Sequence, residues 1–402
     1  MPILYYRDNS VLQLSFVNYN KGAALVVEGK AQSDKFFIIQ VGQVQCVSDV
    51  KIPGQEQTIL GPGDFVGVIP CMSNHLQIET VIAMTDVTVI AVMRDQYPEL
   101  IAKNTPVAMK IIRTFANRMR VLNGVLTKLT LNNVASESPD QLFKVANFYD
   151  KANRPDVAIY AYYQYLKACP NGEHVEAAKT RFVALKPRSR AVYFEPTEEM
   201  TRKYPKGTMI FCENQSGADM FIIQAGEVSI SKVVDGNEVT LAVLKKGDMF
   251  GEMALLENKH RSASAIAPEE CVLMVVNRKN FDLMVATQAQ LIARLTTTLA
   301  ERLWALHRQL TNSQIKEYSH KLVDMLALQL EKAKLNITSS QSFQTNISVQ
   351  DLVTMCGIPT GHQAQAINDF TNLAQPKIVG GKILVAKPNE IIKAAAFYRS
   401  KA

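Results

Sequence analysis

The sequence predicts an α+β protein with two jelly-roll-like β-rolls, each followed by a long helix, a helical bridge between them and a C-terminal helix-turn-helix region. Three observations predict this fold. One pattern occurs twice at long range, the segment between the copies has a helical composition, and two short helical patterns near the C-terminus precede a hairpin-like segment. The predicted domains are residues 1–135, 136–190, 191–312 and 313–402.

The repeat is visible in YNKGAALVVEGKAQSDKFFIIQVGQV (19–44) and YPKGTMIFCENQSGADMFIIQAGEV (204–228). Farther along, Gly67 of GPGDFVG corresponds to Gly251 of KKGDMFG, at the same offset as Gly42 and Gly226 in the two segments above. Short β-branched and aromatic runs alternate with Gly, Asp and Asn turns in each copy, as is typical of small antiparallel rolls. A period this long indicates a duplicated domain rather than a solenoid.

Each copy ends in a long helical pattern whose apolar residues recur at three- and four-residue steps, over 112–129 and 292–310. A narrow apolar seam favours packing against another long helix. That partner helix belongs either to the same chain or to a second chain of a homodimer. The alternative is a helix that lies on its own roll.

The bridge at 136–190 places small, aromatic and proline residues at the positions of a helix–turn–helix unit: Leu142, Ala146, Tyr149, Ala158, Tyr162 and Pro170. This pattern resembles a tetratricopeptide repeat. One such repeat does not bury its apolar face alone. Two interpretations therefore stay open, a purely structural bridge and a docking site for a protein partner.

FGEMALLENKHRSASA (250–265) has the pattern of an anion-binding loop. Gly251 lets the backbone approach a ligand closely, and the amides that follow it are donors for an anion. Glu252 is suited to accept hydrogen bonds from sugar hydroxyls, and the planar guanidinium of Arg261 fits two phosphate oxygens. Ser262 adds a hydroxyl, and Ala263 leaves room for a sugar phosphate.

These residues resemble the phosphate-binding cassette of cyclic-nucleotide-binding domains, a family that includes the Crp–Fnr regulators. The matching residues are Phe250, Gly251, Glu252, Ala254, Leu255, Arg261, Ser262 and Ala263. The resemblance implies that Glu252 holds the ribose 2′-hydroxyl, that Arg261 pairs with the cyclic phosphate, and that the amides of Gly251, Glu252, Met253 and Ala254 complete the cradle. It also implies cAMP as the ligand, because Ser262 favours adenine over guanine. The alternative is a Glu252–Arg261 ion pair that only closes a loop.

Trp304, the single tryptophan, falls where members of this family place residues that cap the base. An indole in that position is suited to stack on a purine. It is equally suited to fill the joint between a roll and its helix.

The first copy lacks the two charged residues, because Val68 stands where the second copy has Glu252 and Gln77 where it has Arg261. Pro70 also removes one backbone N–H. The first copy is therefore predicted not to bind a simple cyclic mononucleotide. It is either a structural half or a binder of another ligand through His75, Gln77 and Glu79.

The C-terminal region contains ISVQDLVTMCGIPTGHQAQAINDF followed by KIVGGKILVA, a helix-turn-helix pattern with a hairpin-like wing. The order of roll, long helix and winged helix resembles the Crp–Fnr transcription regulators. That resemblance implies DNA binding, with His362, Gln363, Gln365 and Lys382 as candidate contacts. Between Leu335 and Pro376, however, there is no Lys or Arg to neutralise phosphates.

The sequence thus predicts a cAMP receptor of the Crp–Fnr type that regulates transcription, or else one that does not bind DNA and acts through protein partners at the bridge. No catalytic, metal or cofactor constellation is evident, so an enzyme is not expected. Composition is that of a globular protein, with 47% apolar and 20% charged residues and a net charge of +7. The six dispersed cysteines and the lack of a membrane-spanning pattern predict a cytoplasmic protein.

Overall fold

The computed structural model describes residues 14–401 except 31–33, 49–57, 132–137, 139, 235, 258, 334–341 and 375. The predicted domain boundaries at residue 1 and at 135/136 therefore lie outside the described residues. In the part of the chain that is described, no helix combines the length and the apolar character needed to cross a membrane.

The first roll consists of two four-stranded antiparallel sheets, in the strand orders β1-β8-β3-β6 and β2-β7-β4-β5. Their inward faces enclose one apolar core that includes Phe37, Val44, Val81 and Val89. The elements are β1 Ser15–Tyr19, β2 Ala24–Val26, β3 Lys35–Val41, β4 Val44–Val47, β5 Thr58–Leu60, β6 Phe65–Val66, α1 Val68–Ser73, β7 Thr80–Ala83, β8 Val87–Met93, α2 Tyr97–Lys103 and α3 Thr105–Leu131.

Three helices follow the first roll: α4 Asp140–Lys151, α5 Pro155–Ala168 and α6 Val175–Leu185. They are called the bridge helices below. The second roll then contains β9 Thr201–Tyr204, β10 Met209–Phe211, β11 Met220–Ala225, β12 Val228–Val234, β13 Asn237–Leu244, β14 Met249–Phe250, α7 Glu252–Glu257, β15 Ser264–Ile266, β16 Cys271–Val276 and α8 Arg278–Thr287.

The second roll repeats the topology of the first, with sheets in the orders β14-β11-β16-β9 and β10-β15-β12-β13. Even an irregularity is repeated. The register of β3 on β8 shifts between Ile39 and Val41, and that of β11 on β16 shifts between Ile223 and Ala225. A register shift kept at the same place in two copies is typical of duplication. The predicted pair of β-rolls is confirmed.

The bridge helices pack on the second roll. Their buried residues, among them Tyr149 and Tyr165, share one apolar cluster with Met209 and Ile266 of the sheet that contains β10 and β15. At its rim Tyr149 donates to the Glu238 carboxylate at 3.0 Å. The apolar face of the bridge helices is thus buried within the chain. Their relation to tetratricopeptide repeats stays a prediction.

The chain divides into two compact units, Leu131–Met284 and a unit that joins Met1–Thr130 to Val285–Ala402. The long helix α9, Ala289–Gln314, belongs to the second of these and packs on α1 and α2 of the first roll. This helix was predicted to belong to the domain of the second roll, residues 191–312, because it follows that roll in the chain. In the structure its buried seam, including Leu299 and Leu303, lies in the unit of the first roll.

The C-terminal elements are α10 Tyr318–Lys332, β17 Phe343–Gln344, α11 Val349–Met355, α12 Thr360–Ala374, β18 Lys377–Val379, β19 Lys382–Val385 and α13 Pro388–Arg399. The strands form a sheet in the order β17-β19-β18. A buried carboxylate, Asp324 on α10, joins three helices. It accepts hydrogen bonds from Arg308 and Asn312 of α9, each at 3.1 Å, and from Arg399 of α13.

Candidate functional site

The backbone of the second roll places the predicted cassette at the end of a strand. β14 pairs with β11, Phe250 opposite Phe221, and the chain then turns at Gly251 into α7. Gly251 has φ of 78°, the left-handed region that favours glycine. A Cβ at this position would also lie 2.8 Å from Nη1 of Arg261 and 3.2 Å from the carbonyl oxygen of Asp219. The turn therefore requires glycine for both conformation and space.

Arg261 lies inside the roll, with 5% of its surface exposed. Nη1 donates to the Gly251 carbonyl and Nη2 to the Asp219 carbonyl, both at 2.7 Å. The guanidinium carbon lies 4.2 Å from the ring centroid of Phe211, a cation–π distance. Nε is buried without a hydrogen-bond partner among the described residues. One strong donor thus has no acceptor, which is costly in a dry interior.

Burial lowers the pKa of Arg261 to about 10, although the negative charges of Asp219 and Glu252 oppose the shift. The guanidinium therefore stays protonated at neutral pH. Glu252, the first residue of α7, is itself 2% exposed. A buried cation and a buried carboxylate in one roll form an environment suited to a ligand that carries both an anion and hydroxyl groups.

The remaining cassette residues lie in the same roll. Ala254 and Ala263 are buried, Met253 and Gly251 are partly buried, and Ser262 is exposed. The structure thus brings together Gly251, Glu252, Met253, Ala254, Arg261, Ser262 and Ala263 in one unit. Sequence reasoning missed Asp219 and Phe211, which hold the Arg261 side chain. Both fall in segments that read as ordinary turn and core, so no local signal marks them.

Trp304 belongs to the other unit, where it is 5% exposed. Its ring stacks on His75 of the first roll, with centroids 3.5 Å apart and planes inclined by 9°. Of the two roles left open for this side chain, the structure places the indole in a joint between a roll and a helix. That roll is the first one, a partner that the position of Trp304 in the chain does not suggest.

The first copy's version of the cassette is covered by α9. Every residue of α1, from Val68 to Ser73, is buried, and so is Gln77. His307 of α9 lies 3.5 Å from the hydroxyl of Ser48, and burial lowers its pKa to about 4, helped by the positive charge of Arg118. An imidazole with this pKa is neutral at physiological pH. The helix α1, which corresponds in sequence to α7 of the second roll, is thus packed against α9 of the same chain.

Glu79 of the first roll pairs with Arg118 of α3, with 3.0 Å between the nearest oxygen and nitrogen. Burial would raise the pKa of the Glu79 carboxyl, but the charge and hydrogen bond of Arg118 outweigh it and lower the pKa. His75 and Glu79 were considered as contacts for another ligand in the first copy. In the structure one stacks on Trp304 and the other pairs with Arg118.

Comparison with known proteins shows what the rolls resemble. The cyclic nucleotide-binding domain family matches residues 16–104 and 201–288, so each roll is similar to the domains of that family. The match agrees with the class of ligand expected from the sequence, a cyclic nucleotide of the cAMP type.

Curated relatives share parts of the chain. A cyclic AMP receptor protein of Thermus thermophilus is 35% identical over 103 residues, which are 25% of this chain and 48% of that protein. The cAMP-activated global transcriptional regulator CRP of Pasteurella multocida is 29% identical over 157 residues, 39% of this chain and 75% of that one. A cAMP-dependent protein kinase regulatory subunit of Pyricularia oryzae is 31% identical over 94 residues, 23% of this chain and 24% of its own.

The aligned part thus spans about half of the Thermus protein and a quarter of the fungal one. Over these parts the chain is similar to proteins named as cAMP receptors, cAMP-activated transcription regulators and regulatory subunits of cAMP-dependent protein kinases.

Introducing the two charged residues of the second roll at the corresponding positions of the first roll should not create a nucleotide site there. In a Val68→Glu, Gln77→Arg double variant, Trp304 and His307 still cover this side of the domain, and Pro70 still lacks an amide N–H. Calorimetric titration with cAMP measures the stoichiometry, which we expect to equal that of the wild type. A gain of one further nucleotide per chain would contradict this expectation.

The candidate DNA contacts lie on α12 and β19. His362, Gln365 and Lys382 are exposed, and Gln363 is partly buried. The two glutamines already have partners, because Gln363 donates to the Ile358 carbonyl at 2.9 Å and Gln365 donates to the Asp369 carboxylate at 2.9 Å. Each glutamine would have to give up this bond in order to form hydrogen bonds with the edges of DNA bases.

Proposed function

We propose that this protein is a cAMP receptor that binds one nucleotide per chain in its second cyclic nucleotide-binding domain. The observation that carries the proposal is the buried guanidinium of Arg261, which retains one donor without an acceptor beside the buried Glu252. A cyclic phosphate supplies the missing acceptor, and a ribose hydroxyl supplies a donor for the carboxylate. The free cysteines support a reducing compartment, so we place the receptor in the cytoplasm.

Binding exchanges internal contacts for contacts with the ligand. In the structure Arg261 is held by the carbonyls of Gly251 and Asp219. A phosphate is a stronger acceptor than a carbonyl, so the guanidinium turns toward it. The ligand then shifts the population of the domain toward the conformation in which Arg261 faces the phosphate, and only its difference in affinity for the two conformations drives the change.

Titration of the full chain should give one cAMP per chain. Calorimetry with cAMP, cGMP and cyclic dinucleotides measures both stoichiometry and preference, and we expect cAMP to bind most tightly. The control is a titration with 5′-AMP. Its phosphate is not part of a ring, so it tests whether binding requires the cyclic ester. Absence of binding by every cyclic nucleotide would overturn the proposal.

For the output, we propose regulation of transcription through residues 313–402, which we interpret as a winged helix. The domain order supports this, together with the exposed Lys377 and Lys382 on β18 and β19. The test is fluorescence anisotropy on genomic DNA fragments with and without cAMP. Affinity should change with nucleotide and fall steeply with salt, because basic residues displace counterions from DNA.

A specific observation favours a second output, in which the receptor acts on protein partners through the bridge helices. The side chains of Gln363 and Gln365 that would read bases are engaged with the Ile358 carbonyl and the Asp369 carboxylate, and α12 contains no lysine or arginine. Cross-linking in the presence of cAMP, combined with no DNA binding at low salt, would support this output. Sequence-specific DNA binding that depends on cAMP would exclude it.

A further inference from the structure

We propose that Tyr160 of the bridge helices and Gln215 of the second roll are positioning residues for Arg261, so that the bridge helices set the affinity for nucleotide and respond to its binding. The inference rests on the proposed function. It goes beyond that function by naming the structural connection between the nucleotide site and a helical element outside the cassette. The connection is the segment Cys212–Asp219, called the 212–219 loop below.

One side of this loop is fixed to Arg261. The amide of Asn214 donates to the Arg261 carbonyl at 2.8 Å, and the amide of Arg261 donates to the Gln215 carbonyl at 2.9 Å. At the end of the loop, the Asp219 carbonyl accepts from Nη2 of the same arginine. A Cβ at Gly217 would lie 3.0 Å from Nη2. Main chain and guanidinium of Arg261 thus both follow the position of the loop.

The other side of the loop is fixed to the bridge helices. Nε2 of Gln215 donates to the hydroxyl of Tyr160 on α5 at 3.2 Å, while its Oε1 accepts from the Cys212 amide at 2.9 Å. Glu213 is 2% exposed and accepts at 2.9 Å from Gln141 on α4. The loop has two anchors on the helices and three bonds to Arg261, and all of them lie in one compact unit.

Of the two anchors, the Tyr160–Gln215 pair contains a residue that is itself hydrogen-bonded to Arg261. Tyr160 is 2% exposed, and its ring stacks on Phe194 at 5.7 Å. Gln215 bonds directly to the backbone of Arg261. The buried Tyr160 therefore holds the side-chain amide of Gln215 in place. The main chain of Gln215 in turn holds Arg261.

Linkage makes this connection reciprocal. If the bridge helices stabilise the loop position that suits phosphate, then bound phosphate stabilises the bridge helices by the same free energy. The bridge helices would then sense occupancy without contacting the ligand. This gives the protein-partner output a physical route from Arg261 to the surface of α4 and α5.

The test is Tyr160→Phe in the full chain, titrated with cAMP. Loss of one hydrogen bond in the positioning network should weaken binding about 3- to 10-fold. The matched control is Tyr162→Phe on the same helix, a buried tyrosine whose hydroxyl donates to Asn147 at 2.7 Å and Asp150 at 3.1 Å, both within α4. The control should keep wild-type affinity.

A second variant separates positioning from general loosening. Gln215→Ala removes the bonds to Tyr160 and to the Cys212 amide, so it should weaken cAMP binding at least as much as Tyr160→Phe does. Adding Tyr160→Phe to Gln215→Ala should cause no further loss, because the partner of the hydroxyl is already absent. Hydrogen exchange should also show that cAMP protects amides of α4 and α5 in the wild type and protects them less in Tyr160→Phe.

The outcomes are distinct. No cAMP binding by the wild type overturns the proposed function and this inference with it. Wild-type binding with equal affinity in Tyr160→Phe overturns the inference alone. An equal loss in Tyr160→Phe and Tyr162→Phe, or additive losses in the double variant, also overturns it, since either indicates a bridge that contributes only to stability.

Discussion

Replacing Arg261 with alanine should weaken cAMP binding by about 3–5 kcal/mol, roughly a hundred- to several-thousand-fold. In the proposed complex this variant leaves the phosphate in the second roll without a cation, while Glu252 remains in the same roll. Calorimetry on the full chain measures the loss. Unchanged affinity would show that the phosphate does not bind at this arginine.

The same substitution should affect folding far less than binding. The guanidinium is buried at a cost, since burial lowers its pKa and its Nε has no hydrogen-bond partner among the described residues. Removing it takes away two hydrogen bonds but also that cost. The matched control is Arg154→Ala in the same unit, where the arginine pairs with Glu238 at 2.7 Å and is partly exposed. We expect this control to bind cAMP as the wild type does.

The cassette was predictable from sequence because its parts are local. A short stretch contains Gly251, Glu252 and Arg261. The end of a strand followed by a short helix brings them together, so the local sequence is enough to predict their grouping. The orientation of Arg261 was not predictable. It depends on Asp219 and Phe211, which are far from it in sequence and become neighbours only when the two sheets close.

The two rolls were predictable for a related reason. Alternating β-branched residues and turn residues determine short strands, and the repetition of the pattern reveals the duplication. The packing of α9 on the first roll was not predictable in this way. A seam of leucines indicates that one face of a helix is buried, but it does not indicate which element covers that face. In the structure Trp304 stacks on His75 of the first roll.

The first roll packs on a segment of its own chain at the positions that correspond to the cassette of the second roll. Val68 and Gln77 stand there in place of Glu252 and Arg261, both are buried, and His307 of α9 lies 3.5 Å from the hydroxyl of Ser48. That segment continues from Trp304 and His307 to Arg308 and Asn312, which contact Asp324 on α10. The first roll, α9 and the C-terminal region therefore form one connected unit.

Replacing Asp324 with alanine should destabilise this unit by about 3–5 kcal/mol. The carboxylate is 1% exposed and accepts from Arg308, Arg399 and Asn312, so its removal leaves buried guanidinium groups without their main partner. Arg308 retains Glu331 at 3.4 Å, but its Nη1 is already buried without a partner among the described residues. Breaking one side of a buried charge network is costly for this reason.

Urea unfolding followed by tryptophan fluorescence measures the effect, because the single tryptophan, Trp304, belongs to the same unit. The control is Asp369→Ala on α12, which removes a partly buried carboxylate that accepts from the exposed Gln365 on the same helix, and it should cost less than about 1 kcal/mol. A loss below about 1 kcal/mol in Asp324→Ala would contradict the prediction. Because the cassette lies in the other unit, Asp324→Ala should retain its cAMP affinity, and this pairing of lost stability with retained binding separates the structural network from the nucleotide site.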